Sequence, residues 1–132
     1  MTVQLIGVHD VDTVWPHITD IVQLAINQQH HGYSVGDFWT LCRSGRGFLF
    51  VRDPVNAVVI ATSVQQNGTP VFSVDLIAAT SREKAWRTEM MDAVVAVAKA
   101  AGAKRIVGDG RKNFQKLCPA RIHSVRYEME ID

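Results

Sequence analysis

Apolar and polar positions change their spacing several times along the 132 residues, and each change predicts an element. Val3 to Val8 is a short apolar run of strand type. Asp10 and Asp12 follow as helix-capping residues, and Val14, Ile18, Ile21, Val22, Ala25 and Ile26 then recur on one helical face. That helix is expected to end near Gln29, with Pro16 tolerated in its first turn. Ser34 and Asp37 have the spacing of a capping box, which predicts a second helix through Phe38, Leu41 and Cys42 closed by Gly45.

From Gly47 the pattern belongs to strands. Gly47 to Arg52, Ala57 to Val64 and Pro70 to Ala79 are rich in aromatic and β-branched residues. Asp53-Pro54-Val55-Asn56 and Gln66-Asn67-Gly68 between them are turn sequences. Short turns between successive strands predict an antiparallel meander. At Arg82 the period becomes helical again: Trp86, Met90, Val94, Val97 and Ala101 are spaced by three or four residues, and Gly102 supplies a C-cap. A strand at Arg105 to Gly108, a short helix at Asn113 to Leu117 stopped by Pro119, and a last strand at His123 to Ile131 complete the chain. The order is β-α-α-β-β-β-α-β-α-β. Strand, long helix and strand over residues 71–108 match a βαβ crossover. The expected class is therefore α/β (α+β), a mixed sheet in which a meander joins a parallel pair, flanked by helices on both faces. No linker or repeat divides residues 1–132, so one domain is expected.

Composition narrows the function classes. With 47% hydrophobic and 20% charged residues, disorder and low complexity are excluded. Cys42 and Cys118 stand apart without metal-ligand spacing, so no zinc site or disulfide framework is indicated. No signal peptide or membrane span is visible, and a cytoplasmic protein is expected. Fourteen Lys and Arg against thirteen Asp and Glu give a net charge of +1, without a general pull toward nucleic acid. The sum hides a polarity. Asp10, Asp12, Asp20 and Asp37 precede Cys42 with no Lys or Arg among them, whereas Lys104, Arg105, Arg111, Lys112, Lys116, Arg121 and Arg126 face Asp109 alone between Ala103 and Tyr127.

The element order resembles that of the GNAT acetyltransferase superfamily over nearly the whole chain. In that family the fourth strand ends in a loop bearing R-x-x-G-x-G/A, whose backbone N–H groups at a helix N-terminus meet the pyrophosphate of acyl-CoA. Here Leu76, Ile77 and Ala78 lead into Arg82-Glu83-Lys84-Ala85-Trp86-Arg87. The resemblance implies acetyl-CoA as cofactor and an amine as acceptor. It places Leu76, Ile77, Ala78, Arg82, Ala85, Trp86 and Arg87 along the cofactor. Arg82 matches the motif, Ala85 stands for its first glycine, and Arg87 replaces its second small residue with a long cation. Either Arg87 pairs with a phosphate or it fills the space of the cofactor. The family's tyrosine acid after the fifth strand aligns with Ala120 when Asn113 is placed on the motif's asparagine; Cys118 is close, and Tyr127 falls on the last strand. Residues 108–119, Gly-Asp-Gly-Arg-Lys-Asn-Phe-Gln-Lys-Leu-Cys-Pro, look like the ending of short GNAT-like proteins of tailed bacteriophages. That narrower likeness implies a non-catalytic alternative: a virion, assembly or host-directed factor whose partners would be phage structural proteins or a host protein, with a homo-oligomer possible.

Direct attack by an amine needs a proton acceptor within reach, and Asp75, His30 and His31 are the candidates. Alternation along the strand sets Asp75 opposite both Val74 and Leu76, lining a cleft or pointing into solvent beside Ser73. His30 and His31 read as a metal pair or as the solvated end of a helix. Trp15, Trp39 and Trp86 read as core or interface anchors, and Cys42 as core.

Overall fold

A computed structural model describes residues 2–29, 33–53, 55–80, 85–109, 121–123 and 126–131. The described strands are β1 (Thr2–Ile6), β2 (Gly47–Asp53), β3 (Ala57–Gln66), β4 (Thr69–Ala79), β5 (Arg105–Asp109), β6 (Arg121–His123) and β7 (Arg126–Glu130). The helices are α1 (Val11–Gln29), α2 (Val35–Arg43) and α3 (Ala85–Ala100), and a 3₁₀ turn, Val8–Asp10, leads into α1. The strands form one sheet in the order β1-β2-β3-β4-β5-β7-β6. Every neighbouring pair is antiparallel except β4 and β5, which are parallel across α3. No helix among the described residues is long and apolar enough to cross a membrane.

The helices form where the pattern predicts because each has one apolar face to bury. Ile18, Ile21, Val22 and Ala25 of α1 and Phe38 and Cys42 of α2 close over Leu49, Val51, Val58, Ile60, Leu76 and Ala78 on one side of the sheet. Trp86, Met90, Val94 and Ala98 of α3 close over Phe50, Ala57, Val59, Ala61, Phe72, Val74 and Ile106 on the other. The alternation in β2 and β3 thus feeds both faces, as a central strand covered by helices requires. The β3–β4 hairpin turns at Asn67 and Gly68, with φ of 53° and 78°. Positive φ at both central residues suits the twist of a two-residue hairpin.

Several expectations need correcting at their edges. Val8 belongs to the 3₁₀ turn, because the chain must leave the sheet to start α1. Pro16 is the sixth residue of α1 and lies beyond its first turn, so the Asp12 carbonyl lacks the usual amide partner four residues on. The last strand is divided: His123 ends β6 and Arg126 begins β7, and the two run antiparallel with His123 opposite Arg126. The continuous alternation from His123 to Ile131 concealed that reversal. The helix expected at Asn113 to Leu117, together with Cys118 and Ala120, lies outside the described residues.

One irregularity positions the site. Ile60 pairs with Leu76 and Ala61 with Val74, so Asp75 is an extra residue of β4 without a partner on β3. A bulge of this kind sets successive residues toward one side of a strand. Val74 joins the α3 side and Leu76 the α1 side. Asp75 therefore opposes Val74 but shares a side with Leu76, which corrects the strict alternation expected for it. Pairing of β4 with β5 also ends at Val74 opposite Gly108, while β4 runs on to Ala79. Among the described residues, β4 bulges on its β3 edge at Asp75 and its ladder to β5 ends one residue earlier, at Val74.

Candidate functional site

A cavity of about 810 Å³ lies between α2 and the sheet, lined by Tyr33, Asp37, Phe38, Thr40, Leu41, Arg46, Thr62, Val64, Ser73 and Asp75. The volume suits a small molecule. Thr62 and Ser73 face each other in the β3–β4 register, and the bulge brings Asp75 beside both. Thr62 Oγ1 donates to Asp75 Oδ2 at 2.8 Å, and Ser73 Oγ donates to Asp75 Oδ1 at 2.8 Å. Each carboxylate oxygen is thus oriented by one hydroxyl and keeps acceptor capacity for a ligand. No described basic side chain forms an ion pair with Asp75. A half-buried carboxylate at the wall of a cavity, with no cation on it among the described residues, has the chemistry to accept a proton or to hold an ammonium group.

The opposite wall is α2, whose placement follows from its capping box. Asp37 N donates to Ser34 Oγ at 3.1 Å, and Ser34 N donates to Asp37 Oδ2 at 2.8 Å. Trp39 Nε1 and Arg43 Nε both donate to Asp12 of α1, at 2.8 and 3.1 Å, tying the two helices together. The Trp39 hydrogen bond lowers the Asp12 carboxyl from its usual value; burial opposes it, and Arg43 adds to the lowering. Phe38 is buried and carries Tyr33 against its edge at a centroid distance of 5.7 Å. After α2 the chain turns at Gly45, with φ of 84°. Gly47 packs so closely on α2 that a Cβ there would stand 3.0 Å from Leu41 Cγ. Arg46 is held at the cavity between these two glycines. Its Nε donates to Ser44 Oγ at 3.3 Å, and its terminal nitrogens have no hydrogen-bond partner among the described residues.

The other residues singled out in the sequence are dispersed. Leu76 is buried among the α1 and α2 contacts and Ala78 is nearly so, while Ile77 packs partly on the α3 side. Trp86 is 8% exposed within the α3-side core, which makes it an anchor for the helix. Ala85 is exposed at the first described position of α3. Arg87, in the same turn, is half-buried with its guanidinium carbon 5.9 Å from the Trp86 ring centre. Its Nε is buried without a hydrogen-bond partner among the described residues. Arg82, His30 and His31 lie outside the described residues, and Tyr127 is placed only by its backbone pairing with Gly108 and Ile122. Cys42 is buried, and desolvation pushes its thiol up to about 12, which removes it as a nucleophile at neutral pH. Among the described residues no cluster of His, Cys, Asp and Glu could hold a metal.

Sequence reasoning missed Thr62, Leu41, Val64 and Arg46 as site residues. Thr62 was within reach, since the Asn67-Gly68 turn sets the hairpin register that brings β3 opposite Ser73. Arg46 carried a weaker signal, a cation between two glycines directly after a helix.

The sequence matches no protein-family model and no curated protein. Solved structures do match. An aminoglycoside 6'-acetyltransferase type Ii is 12% identical with a TM-score of 0.77, covering 100% of this chain and 98% of its own. A GNAT family acetyltransferase from Brucella melitensis, in complex with acetyl-CoA, is 13% identical with a TM-score of 0.69, covering 98% and 87%. A ribosomal-protein-alanine N-acetyltransferase from Brucella melitensis biovar Abortus 2308 is 14% identical with a TM-score of 0.62, covering 89% and 86%. With a mixed sheet open beside β4 and helices on both faces, this chain has the fold of the GNAT acetyltransferases.

Proposed function

We propose that the protein is an acyl-CoA-dependent N-acetyltransferase that acts on an amine by direct attack. The observation that carries this reading is the coincidence at Asp75: the bulge aims a hydroxyl-oriented carboxylate into the cavity one residue past the end of the described pairing between β4 and β5. The residues present fit an acyl-CoA. Arg87 Nε, in the first described turn of α3, is a buried donor without an acceptor among the described residues, and such a donor suits a phosphate. Arg82 and Arg87 would hold the pyrophosphate, and the stretch Leu76 to Ala78 would lie along the pantetheine. When bound, acetyl-CoA supplies a thioester carbonyl that an amine attacks with departure of the thiol.

The chain's own part is positioning and proton removal. Asp75 receives the ammonium group and takes its proton, and Thr62 and Ser73 keep both carboxylate oxygens directed at the cavity. Catalysis of this kind needs no covalent enzyme intermediate, in keeping with a buried Cys42. Calorimetric titration with acetyl-CoA, paired with release of free thiol in the presence of an amine panel, tests the reading. Micromolar binding that is lost in Arg82→Ala and weakened in Arg87→Ala is expected. Absence of heat at millimolar acetyl-CoA overturns the reading and leaves the non-catalytic binding role implied by the likeness to phage GNAT-like proteins.

A further inference from the structure

We infer that the acceptor is a small zwitterionic amine with an apolar body, of the kind of a free amino acid with an aromatic or branched side chain, its ammonium at Asp75 and its carboxylate at Arg46. The inference rests on the acetyltransferase reading and assigns the substrate class of the same cavity.

Three features of the lining carry it. The first is charge of both signs. Asp75 meets no described cation, and Arg46 offers terminal nitrogens that no described residue engages, yet both line one cavity without pairing with each other. A ligand that bridges them must carry both charges. A polycation would leave Arg46 facing like charge, and a simple alkylamine would leave it unmatched. The second is presentation. Gly45 and Gly47 fix the backbone on either side of Arg46, so the cation is held at the cavity by the close packing of the chain on Leu41. The third is the apolar surface that shares the cavity wall with the charges, where the side chain of such a ligand would lie: Tyr33 is 57% exposed, Val64 is 40% exposed, and Leu41 is half-buried. An aromatic or branched skeleton covers that surface and gains about 25 cal/mol for each Å² of apolar area removed from water. Asp37, the other carboxylate on the wall, is exposed to solvent and tied to the start of α2 through the Ser34 amide, whereas Asp75 is half-buried.

In the transfer, the ammonium gives one proton to Asp75, which passes it to solvent. The amide N–C bond then forms as the thioester C–S bond breaks, and the second nitrogen proton leaves with the thiol. The products are an N-acetyl amino acid, free CoA and one proton.

The test measures binding without acetyl-CoA. Phenylalanine, phenethylamine, which lacks only the carboxylate, and kanamycin, a polycation, are titrated by ligand-observed NMR into the wild type, Arg46→Gln and Asp75→Asn. Phenylalanine should bind the wild type about fivefold or more tightly than phenethylamine, as an exposed ion pair allows. Arg46→Gln should reduce that preference to within about twofold, and Asp75→Asn should weaken both ligands together. Equal or tighter binding of phenethylamine or kanamycin by the wild type overturns the inference, as does a preference that survives Arg46→Gln. A separate acetyl-CoA titration distinguishes the two failures. If phenylalanine binds and acetyl-CoA does not, the acetyltransferase reading falls while the ligand site stands. If acetyl-CoA binds and phenylalanine does not, only the substrate class falls.

Discussion

A carboxylate in the middle of a strand is an unfavourable choice for a sheet, and Asp75 is accommodated because the bulge removes it from the ladder and two hydroxyls replace the water it loses. The same two hydroxyls make a sharp mutational test. Asp75→Asn keeps the shape and still offers an oxygen to Thr62, so the fold should survive with little change in midpoint. If Asp75 is the base of the proposed acetyl transfer, its removal should lower kcat about a hundredfold or more for an amine substrate, measured in steady-state turnover. Ser73→Ala frees one carboxylate oxygen without deleting the base, and a smaller loss is expected. Cys42 gives the contrasting residue: with its thiol pushed up to about 12 inside the α1 and α2 contacts, iodoacetamide at pH 8 should leave the Cys42 peptide unmodified in the native protein. Mass spectrometry after alkylation in urea should then show it modified.

At the level of elements, the short helix α2 depends on its surroundings. Nine residues are too few for a stable isolated helix, so its capping box and its contacts with α1 decide where the cavity wall stands. Ser34→Ala should cost about 1 kcal/mol in urea denaturation. Gly47→Ala sets a methyl group against Leu41 and should cost about 1–3 kcal/mol, while also moving Arg46 and raising the acceptor KM. The helices and the meander were legible because their signals are local: the 3.6-residue recurrence of Ile18, Ile21, Val22 and Ala25, the Ser34 and Asp37 spacing, and the Asn67-Gly68 turn. Asp75 was legible as a candidate but not its direction, because a bulge resets the alternation without leaving a mark in residue type. The break between β6 and β7 was hidden for the same reason, as no glycine, proline or asparagine separates His123 from Arg126. Beyond a cleft offered as one alternative for Asp75, the cavity could not be read: its lining comes from α2, the loop after it, β3 and β4, and only sheet register and helix docking bring them together.

Across the described residues, the sheet is held between two apolar layers, and the α3 layer carries a buried charge. Arg52 of β2 is 1% exposed on that side. Its Nε donates to Glu89 of α3 at 2.8 Å, and its Nη1 donates to Asn56 at 3.3 Å. Asn56 in turn accepts from the Thr80 amide at 2.8 Å through its carbonyl, so one contact set joins β2, the β2–β3 turn, the end of β4 and α3. The hydrogen bond from Arg52 holds the Glu89 carboxyl below its ordinary value of 4.5, against a smaller raising effect of burial. The sign of the pH dependence follows. In the unfolded chain Glu89 takes up its proton near the ordinary value, whereas in the folded chain it does so only at lower pH. Its contribution is therefore fully present above pH 4.5 and is lost as the pH falls through the depressed folded value. Above that window Glu89→Gln should lower the urea midpoint, because the buried Arg52 then loses the carboxylate charge that its Nε meets. Between pH 6 and pH 3 the wild type should lose more stability than Glu89→Gln, and the two midpoints should converge toward the acid end. Arg52→Met, which removes the buried charge along with its partner's hydrogen bond, should show the same flattened acid response with a smaller loss at neutral pH. Equal slopes for the wild type and both variants would place the acid sensitivity elsewhere, with Asp12 and its Trp39 and Arg43 partners as the next pair to replace.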